Sequence, residues 1–526
     1  MPENPGASLG RRAFLQYALT AAGAMSEDAA FASALLPQGA PAFVRSARPE
    51  LPHGVASGDV TDNYAVIWSQ SNRPARMFVE YATTSRFRDL RRAEGSAATE
   101  DTGFTARAEL FGLPAGQHIF YRVWFQDLGD ERAKSKPAWG YFRTAPLMPR
   151  DVVFVWSADC AGQGFGINQE WGGMRIFETM RRGQPDFFIH CGDTIYADGP
   201  IEPEVILADG SVWKNVTTEA KSHVAETLED FRGCHAYNRL DRHVLAFSEQ
   251  VPIIVQWDDH ETCNNWYPHE RLEDGRYREK EMDVLAARAR QAFLEYYPMQ
   301  VSLAQSGRIY RKIPYGPLLD VFMLDMRSYR GPNDANNQSA ATAFLGAGQL
   351  DWLKRSLLES PSTWKVIGAD MPLGLVVPDG KNRFEAVANA DNGPPKGREL
   401  EITDLLRFIK QNSIRNVVWL TADVHYTAAH HFHPDRARFK DFLPFWEFVS
   451  GPLNAGTFGP SELDGTFGPE VVFMKTPPQG QSNLPPSDGL QFFGEVRIEG
   501  QSGVMTVRLK DVSGAALYEV SLPPEA

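Results

Sequence analysis

The chain has 526 residues, a formal charge of −13, 43% hydrophobic residues and 23% charged residues. That length exceeds one simple core and sets two or more domains as the expectation. The acidic field excludes a nucleic-acid scaffold or an anionic-membrane binder, and the 4 cysteines (Cys160, Cys191, Cys234, Cys263) allow one bridge at an unspecified pair but no disulfide framework.

The N-terminal "SLGRRAFLQYALTAAGAM" sets Arg11 and Arg12 before Phe14, Leu15 and a weakly apolar stretch, the pattern of a twin-arginine export signal over residues 1–34. Ala30-Phe31-Ala32 and Ala32-Ser33-Ala34 both offer cleavage sites. No later run approaches the ~18 apolar residues of a membrane span. The expected product is periplasmic or secreted, carried by the twin-arginine machinery, free of membrane insertion, and monomeric. Export by this route often accompanies a cofactor loaded before transit, which hints at metal.

Residues 45–145 read as all-β. "YAVIWSQ" (64–70), "RMFVEYAT" (76–83), "FTARAEL" (104–110) and "IFYRVWFQ" (119–126) are short strands between turn-rich segments, and their spacing predicts an immunoglobulin-like sandwich. "TAPLMPR" (144–150) reads as a linker. Beyond it, "DVVFVWSAD", "DFFIHCGD", "VPIIVQWDD", "LLDVFMLD", "WKVIGAD" and "VVWLTAD" are apolar runs that each end on an acid. Helical patterns at 174–182, 282–297, 348–360 and 398–411 alternate with them. The expectation is an α/β catalytic domain over 150–526 with buried sheets, closed by two or three strands of the alternating C-terminal tail. Segments 200–250, 262–281 and 371–397 read as long inserts. Trp213, Trp257, Trp266 and Tyr267 within or near them are expected mainly in the core.

In such sheets functional groups gather beyond the strand C-terminal ends. There the sequence offers Asp159 and Cys160; Asp193, Tyr196 and Asp198; Asp258, Asp259, His260, Glu261 and Asn264; Asp325 and Arg327; and Asp423 and His425. Each has an ordinary reading: a helix cap for Asp159 or Asp193, a small buried hydrophobe for Cys160, a polar loop for His430, His431 and His433. Together they form an inventory of metal ligands richer than salt bridges require, and a buried rim of acids demands cations. No phosphate-binding P-loop, nucleophile-elbow serine or dinucleotide fingerprint stands near these strands. A Cys160 nucleophile with His425 as base would leave Asp193, Asp259 and Asp423 without a role.

The ordered segments "GDTIY", "QWDDHETCNNW", "LDMRSYRGP" and "TADVHYTAAH" resemble the motif series of the PhoD-like alkaline phosphatase/phosphodiesterase family, calcineurin-like metallophosphoesterases related to purple acid phosphatases. The β-domain and the leader match that family too, so the resemblance spans essentially the whole mature chain. It implies an α/β metallophosphoesterase core of two packed β-sheets flanked by helices. It also implies that Cys160, Asp193, Tyr196 and His425 hold ferric iron, with a coloured charge-transfer band. Asp193 would bridge to a second, calcium-type ion held with Asp423 and either Asp259 or Asn264. "SADC" departs from the family, which more often has a small residue before the cysteine; Asp159 is expected outside the ligand set.

The implied activity is hydrolysis of phosphomono- and/or phosphodiesters by attack of a metal-bound hydroxide at a dinuclear Fe3+/Ca2+ site. His260 would orient the phosphate or protonate the leaving oxygen, with Glu261 fixing its tautomer. Arg327 or Arg330 would grip the phosphate. A phospholipase D-type phosphodiesterase on the same site is an alternative. A non-catalytic extracellular binding protein with structural metal is another, against which the retention of Asp193 and His260 argues.

Overall fold

The computed structural model describes residues 48–301, 305 and 307–525, so the leader lies outside the described residues. Two large sheets stack face to face. One has nine strands, in the order Ala516–Leu522, Met505–Asp511, Phe492–Ile498, Val152–Ser157, Phe187–Cys191, Ile253–Gln256, Val55–Gly58, Tyr64–Gln70 and Thr105–Phe111. The other has seven: Arg311–Pro314, Leu319–Met323, Trp364–Gly368, Val417–Thr421, Phe445–Val449, Thr427–Phe432 and Pro469–Lys475. Parallel pairing runs through the centre of both, from Val152–Ser157 across to Ile253–Gln256 in one and from Leu319–Met323 across to Phe445–Val449 in the other.

The near-continuous apolar character of these strands follows from cover on both faces. Trp156, Ile189 and Ile254 meet Val321, Met323 and Leu420 between the sheets. Their neighbours turn outward. Phe322, Ile367 and Trp419 pack under helices Ala347–Leu358 and Glu399–Gln411, whose leucines and isoleucines recur at helical spacing. Val155 and Phe188 pack under helices Arg175–Arg182 and Arg242–Ser248. The result is a helix, sheet, sheet, helix stack, as the family resemblance implied.

The N-terminal part is a β-sandwich. A four-stranded sheet, in the order Arg91–Ala98, Ala75–Ala82, His118–Asp127 and Ala138–Arg143, shares one core with the strands beginning at Val55, Tyr64 and Thr105. The sandwich is not a bead on a linker, however. Val55–Gly58 joins Ile253–Gln256 in parallel register at Gly58 and Ile253, so one sheet runs through both parts, which form one compact unit. A side chain at Gly58 would stand 2.4 Å from the Pro298 carbonyl oxygen and 2.6 Å from that of Ile253, and only glycine permits that approach. Next to it Asp59 takes a bidentate pair from Arg311 (2.7 and 2.8 Å), buried in the seam. The expected linker is packed at its start, where Thr144 and Ala145 are fully buried and Ala145 belongs to the core between the large sheets, while Leu147 and Met148 are exposed.

Two more expectations change. The insert at 200–250 contains helices Leu228–Asn238 and Arg242–Ser248 rather than loop alone. His430 lies on a buried strand with its Nδ1 3.0 Å from Glu447 Oε2, not in a polar loop. The tail supplies three closing strands. All four cysteines are free and buried, and among the described residues no helix is long and apolar enough to cross a membrane.

Candidate metal centre

The strand ends converge at one rim of the stack. Among the described residues three groups bring ligand atoms within 4.8 Å of one another: Asp159, Asp193 and His425; Asp193, Asp259 and His260; and Asp258, Asp259 and Asp423. They come from both sheets and interlock, since Asp193 and Asp259 each belong to two groups. Asp159 (φ 65°), Asp193 (φ 48°), Asp423 (φ 65°) and His425 (φ 58°) all hold left-handed backbone. Non-glycine residues seldom accept that conformation, and its concentration here, two to four residues past strand ends, turns these side chains back toward a common point.

Local hydrogen bonds fix each donor. His425 donates from Nδ1 to the Gly456 carbonyl, leaving Nε2 2.8 Å from the Tyr196 hydroxyl and 3.9 Å from Asp159 Oδ1. Burial lowers this imidazole to about 4, so it is neutral and its unprotonated Nε2 accepts from the Tyr196 hydroxyl. The Tyr196 ring lies against Gly162, where a Cβ would stand 2.3 Å from it. Cys160 N–H donates to the Asp193 carbonyl (2.9 Å), tying the first two strand ends together. His260 N–H donates to Asp193 Oδ1 (3.2 Å), and Asn265 N–H donates to Asp259 Oδ2 (2.6 Å).

The carboxylates are too many for the cations beside them. Burial, then neighbouring acids, pushes Asp423 well above the ordinary carboxyl range; Asp159 and Asp193 rise well above it by burial too, against a pull from His260. Both Asp159 oxygens and Asp259 Oδ1 are buried without a hydrogen-bond partner. Buried acids arranged so are costly unless something positive lies among them. Oxygen-rich groups, with the neutral imidazole of His425 and the phenol of Tyr196 beside it, suit hard cations, so the residues present fit two metal ions.

Several expectations are revised by geometry. Cys160 is not in these groups. Its Sγ lies 3.7 Å from the Met174 sulfur in an apolar cluster, outside the 4.8 Å reach of the acids. Asp159, expected behind it, stands in the ligand group instead. Of the two open candidates in the "DDHETCNN" segment, Asp259 is in and Asn264 is out: Asn264 is exposed, with its backbone N–H on Asp198 Oδ2 (2.9 Å). His260 sits in the middle, but Asp198, not Glu261, holds its Nδ1 (2.7 Å). Burial opposes charge on this ring, yet Asp198, Asp259 and Asp193 outweigh it and raise its pKa well above the ordinary value. Glu261 instead staples two turns, accepting from Thr194 N–H and hydroxyl (2.6 Å each) and from Asp258 N–H (2.7 Å).

Arg327 does not face a substrate. It is fully buried, donates from Nε to Asp258 Oδ1 (2.7 Å), pairs with Glu385 and lies 3.6 Å from Asp370. Arg330 is buried as well, on Asn333 Oδ1 (2.8 Å) and the Glu385 carbonyl. Asp325 caps its own turn through Arg327 and Ser328 N–H groups. Trp213, Trp257 and Trp266 are core residues as expected. Sequence reasoning missed the roles of Asp198, Asp370 and Glu385; Asp198, in the "DTIYADGP" turn, and Asp370, the acid that ends "WKVIGAD", carried a visible signal, and Glu385 did not.

Comparison with known proteins agrees with this picture. Residues 154–509 match the family described as PhoD-like phosphatase, and residues 38–146 match the PhoD-like phosphatase, N-terminal domain. The chain is 28% identical over 435 residues to alkaline phosphatase D of Bacillus subtilis (strain 168), a stretch covering 77% of this chain and 70% of that protein. It shares the fold of a solved PhoD structure, with TM-score 0.69 and 21% identity over 92% of each chain. It also shares the fold of a purple acid phosphatase from yellow lupin (Lupinus luteus) seeds, with TM-score 0.53 and 13% identity over 90% of this chain and 74% of that one.

Proposed function

Because this chain belongs to the PhoD-like phosphatase family and is a phosphoesterase hydrolase, we propose that it hydrolyses phosphomono- and/or phosphodiesters at a two-metal centre built from the rim acids. One observation carries this reading: carboxylates from both sheets, all buried but the half-buried Asp423, form three interlocking groups, each within 4.8 Å, one of which includes His425 and another His260. In this reading Asp159, Asp193, Tyr196 and His425 hold one ion of ferric type. Asp193, Asp259 and Asp423, with Asp258 beside them, hold a second of calcium type. When bound, such ions would polarise the phosphoryl oxygens and lower the pKa of the attacking water.

The remaining chemistry belongs to the chain. Asp198 holds His260 through Nδ1, which leaves Nε2 to hydrogen-bond the phosphate or give a proton to the departing oxygen. Glu261 keeps the Asp193 and Asp258 turns at fixed separation. Arg327 positions Asp258 and offsets the local negative charge without touching substrate. Export as a periplasmic or secreted monomer from a leader at 1–34, a sandwich over 45–145 and a catalytic part over 150–526 complete the proposal. Phospholipase D-type substrates remain a variant of the same chemistry.

Treatment with a strong chelator is expected to abolish hydrolysis of a chromogenic phosphodiester, and iron with calcium to restore it. Full activity after elemental analysis has found no metal would refute the two-metal reading. The ligand set gives a sharper expectation. Cys160→Ala should keep metal content, colour and turnover, at a cost on the order of 1 kcal/mol in stability from lost apolar contact. Tyr196→Phe should bleach the visible band, and Asp159→Asn should release one ion. Loss of iron from the Cys160→Ala protein would reinstate the thiolate as a ligand.

A further inference from the structure

Behind the Asp193 turn lies a separate cavity of about 50 Å³, where His190, Thr194, His235, Asn238, Arg239 and Tyr296 stand among a mostly apolar lining. His235, Asn238 and Arg239 follow at the i, i+3 and i+4 positions at the end of helix Leu228–Asn238, and therefore share one face. His190, His235, Asn238 and Arg239 are each more than nine-tenths buried. Each leaves a polar atom without a hydrogen-bond partner: His190 Nδ1, both His235 ring nitrogens, Asn238 Oδ1 and Arg239 Nη1.

Arg239 is the decisive member. Its guanidinium lies 4.0 Å over the Trp68 ring and donates from Nη2 to the Tyr296 carbonyl (3.3 Å), but no carboxylate pairs with it among the described residues. Arginine stays charged in proteins, and an aromatic face with one carbonyl offsets only part of that charge once water is excluded. Burial brings both histidines down to about 3, so each is neutral and still has one N–H to donate. Water in the cavity would satisfy the donors but not the charge.

We propose that this cavity is an anion site that takes one small monovalent anion of halide size, paired with Arg239 and hydrogen-bonded by His190 and His235. A space of a few water volumes excludes a phosphate ester, so the site is distinct from the one where hydrolysis is proposed. It nevertheless touches the metal centre. Asn238 Nδ2 donates to the Thr194 carbonyl (2.7 Å), one residue beyond Asp193, so the anion would steady the turn that carries the shared carboxylate.

Crystals of the wild-type protein, freed of halide by dialysis and then soaked in bromide, test this at the bromine absorption edge. The expected result is one anomalous peak within hydrogen-bond distance of Arg239 Nη1. Water alone at that position overturns the proposal. In solution, the thermal midpoint is expected to rise with the logarithm of sodium bromide concentration, relative to sodium gluconate at equal ionic strength. Arg239→Gln should lose that dependence. Equal midpoints of the wild-type protein in the two salts would also overturn the proposal, whether or not the variant folds.

Discussion

Asp193→Asn should lower phosphoester hydrolysis by more than about 100-fold while the protein remains folded. Removing a group that merely orients a metal ligand typically costs 10–100-fold in affinity or activity. Asp193 is more than that, since its carboxylate belongs to two of the three ligand groups. Asparagine keeps the shape and one oxygen but loses the negative charge shared between both ions. Elemental analysis should therefore find both metals depleted, whereas Asp159→Asn affects chiefly one. The fold should tolerate the change. In the metal-free chain Asp193 is one of several mutually repelling buried acids, so removing a charge relieves repulsion. His260 N–H can still donate to an asparagine oxygen as it does to Asp193 Oδ1. Thermal midpoints with and without chelator, beside turnover on a chromogenic diester, check each part. A variant that keeps both ions and hydrolyses normally would sink the shared-ligand assignment. A wild-type protein with both ions and no hydrolysis of any phosphoester would instead return the chain to the binding-protein reading.

Most of the framework was legible because its signals are local. Apolar runs ending on an acid located the six central strands, and apolar spacing located four helices that the structure places within about two residues of expectation. Helices Leu228–Asn238 and Arg242–Ser248 escaped because the first buries Phe231, Arg232, Cys234, His235 and Tyr237 around much of its circumference, which leaves no clean apolar stripe. Their caps were readable: Thr227 with Asp230, and Asp241.

At the site, residue type was legible and facing was not. Asp159 and Cys160 are adjacent, and in extended chain adjacent side chains point to opposite sides. Which one meets Asp193 depends on the left-handed turn at Asp159, a backbone detail with no glycine or asparagine to announce it. The choice between Asp259 and Asn264 turned on the loop that exposes Asn264. Assigning His260's tautomer to neighbouring Glu261 favoured sequence adjacency over Asp198, 62 positions away. These are all tertiary relations, which short motifs do not encode.

Arg327→Leu should be among the most destabilising single changes in this protein, and for a reason unconnected with substrate. Its guanidinium is fully buried between Asp258, Glu385 and Asp370, with Asp259 close enough to contribute to its charge balance. Removing one partner of a buried ion pair typically costs about 3–5 kcal/mol, because the abandoned charge stays in a low-dielectric interior. That is a large share of the ~5–15 kcal/mol that holds a typical domain folded. The expected outcome is a sharp fall in soluble yield and thermal midpoint. Arg327→Lys should be intermediate, since one ammonium cannot reproduce the planar fork that reaches several carboxylates. The double variant Arg327→Leu with Glu385→Gln should recover part of the loss, because it removes one of the charges left unpaired. If Arg327 gripped phosphate instead, both single variants would fold normally with a raised KM, and Glu385→Gln would rescue nothing.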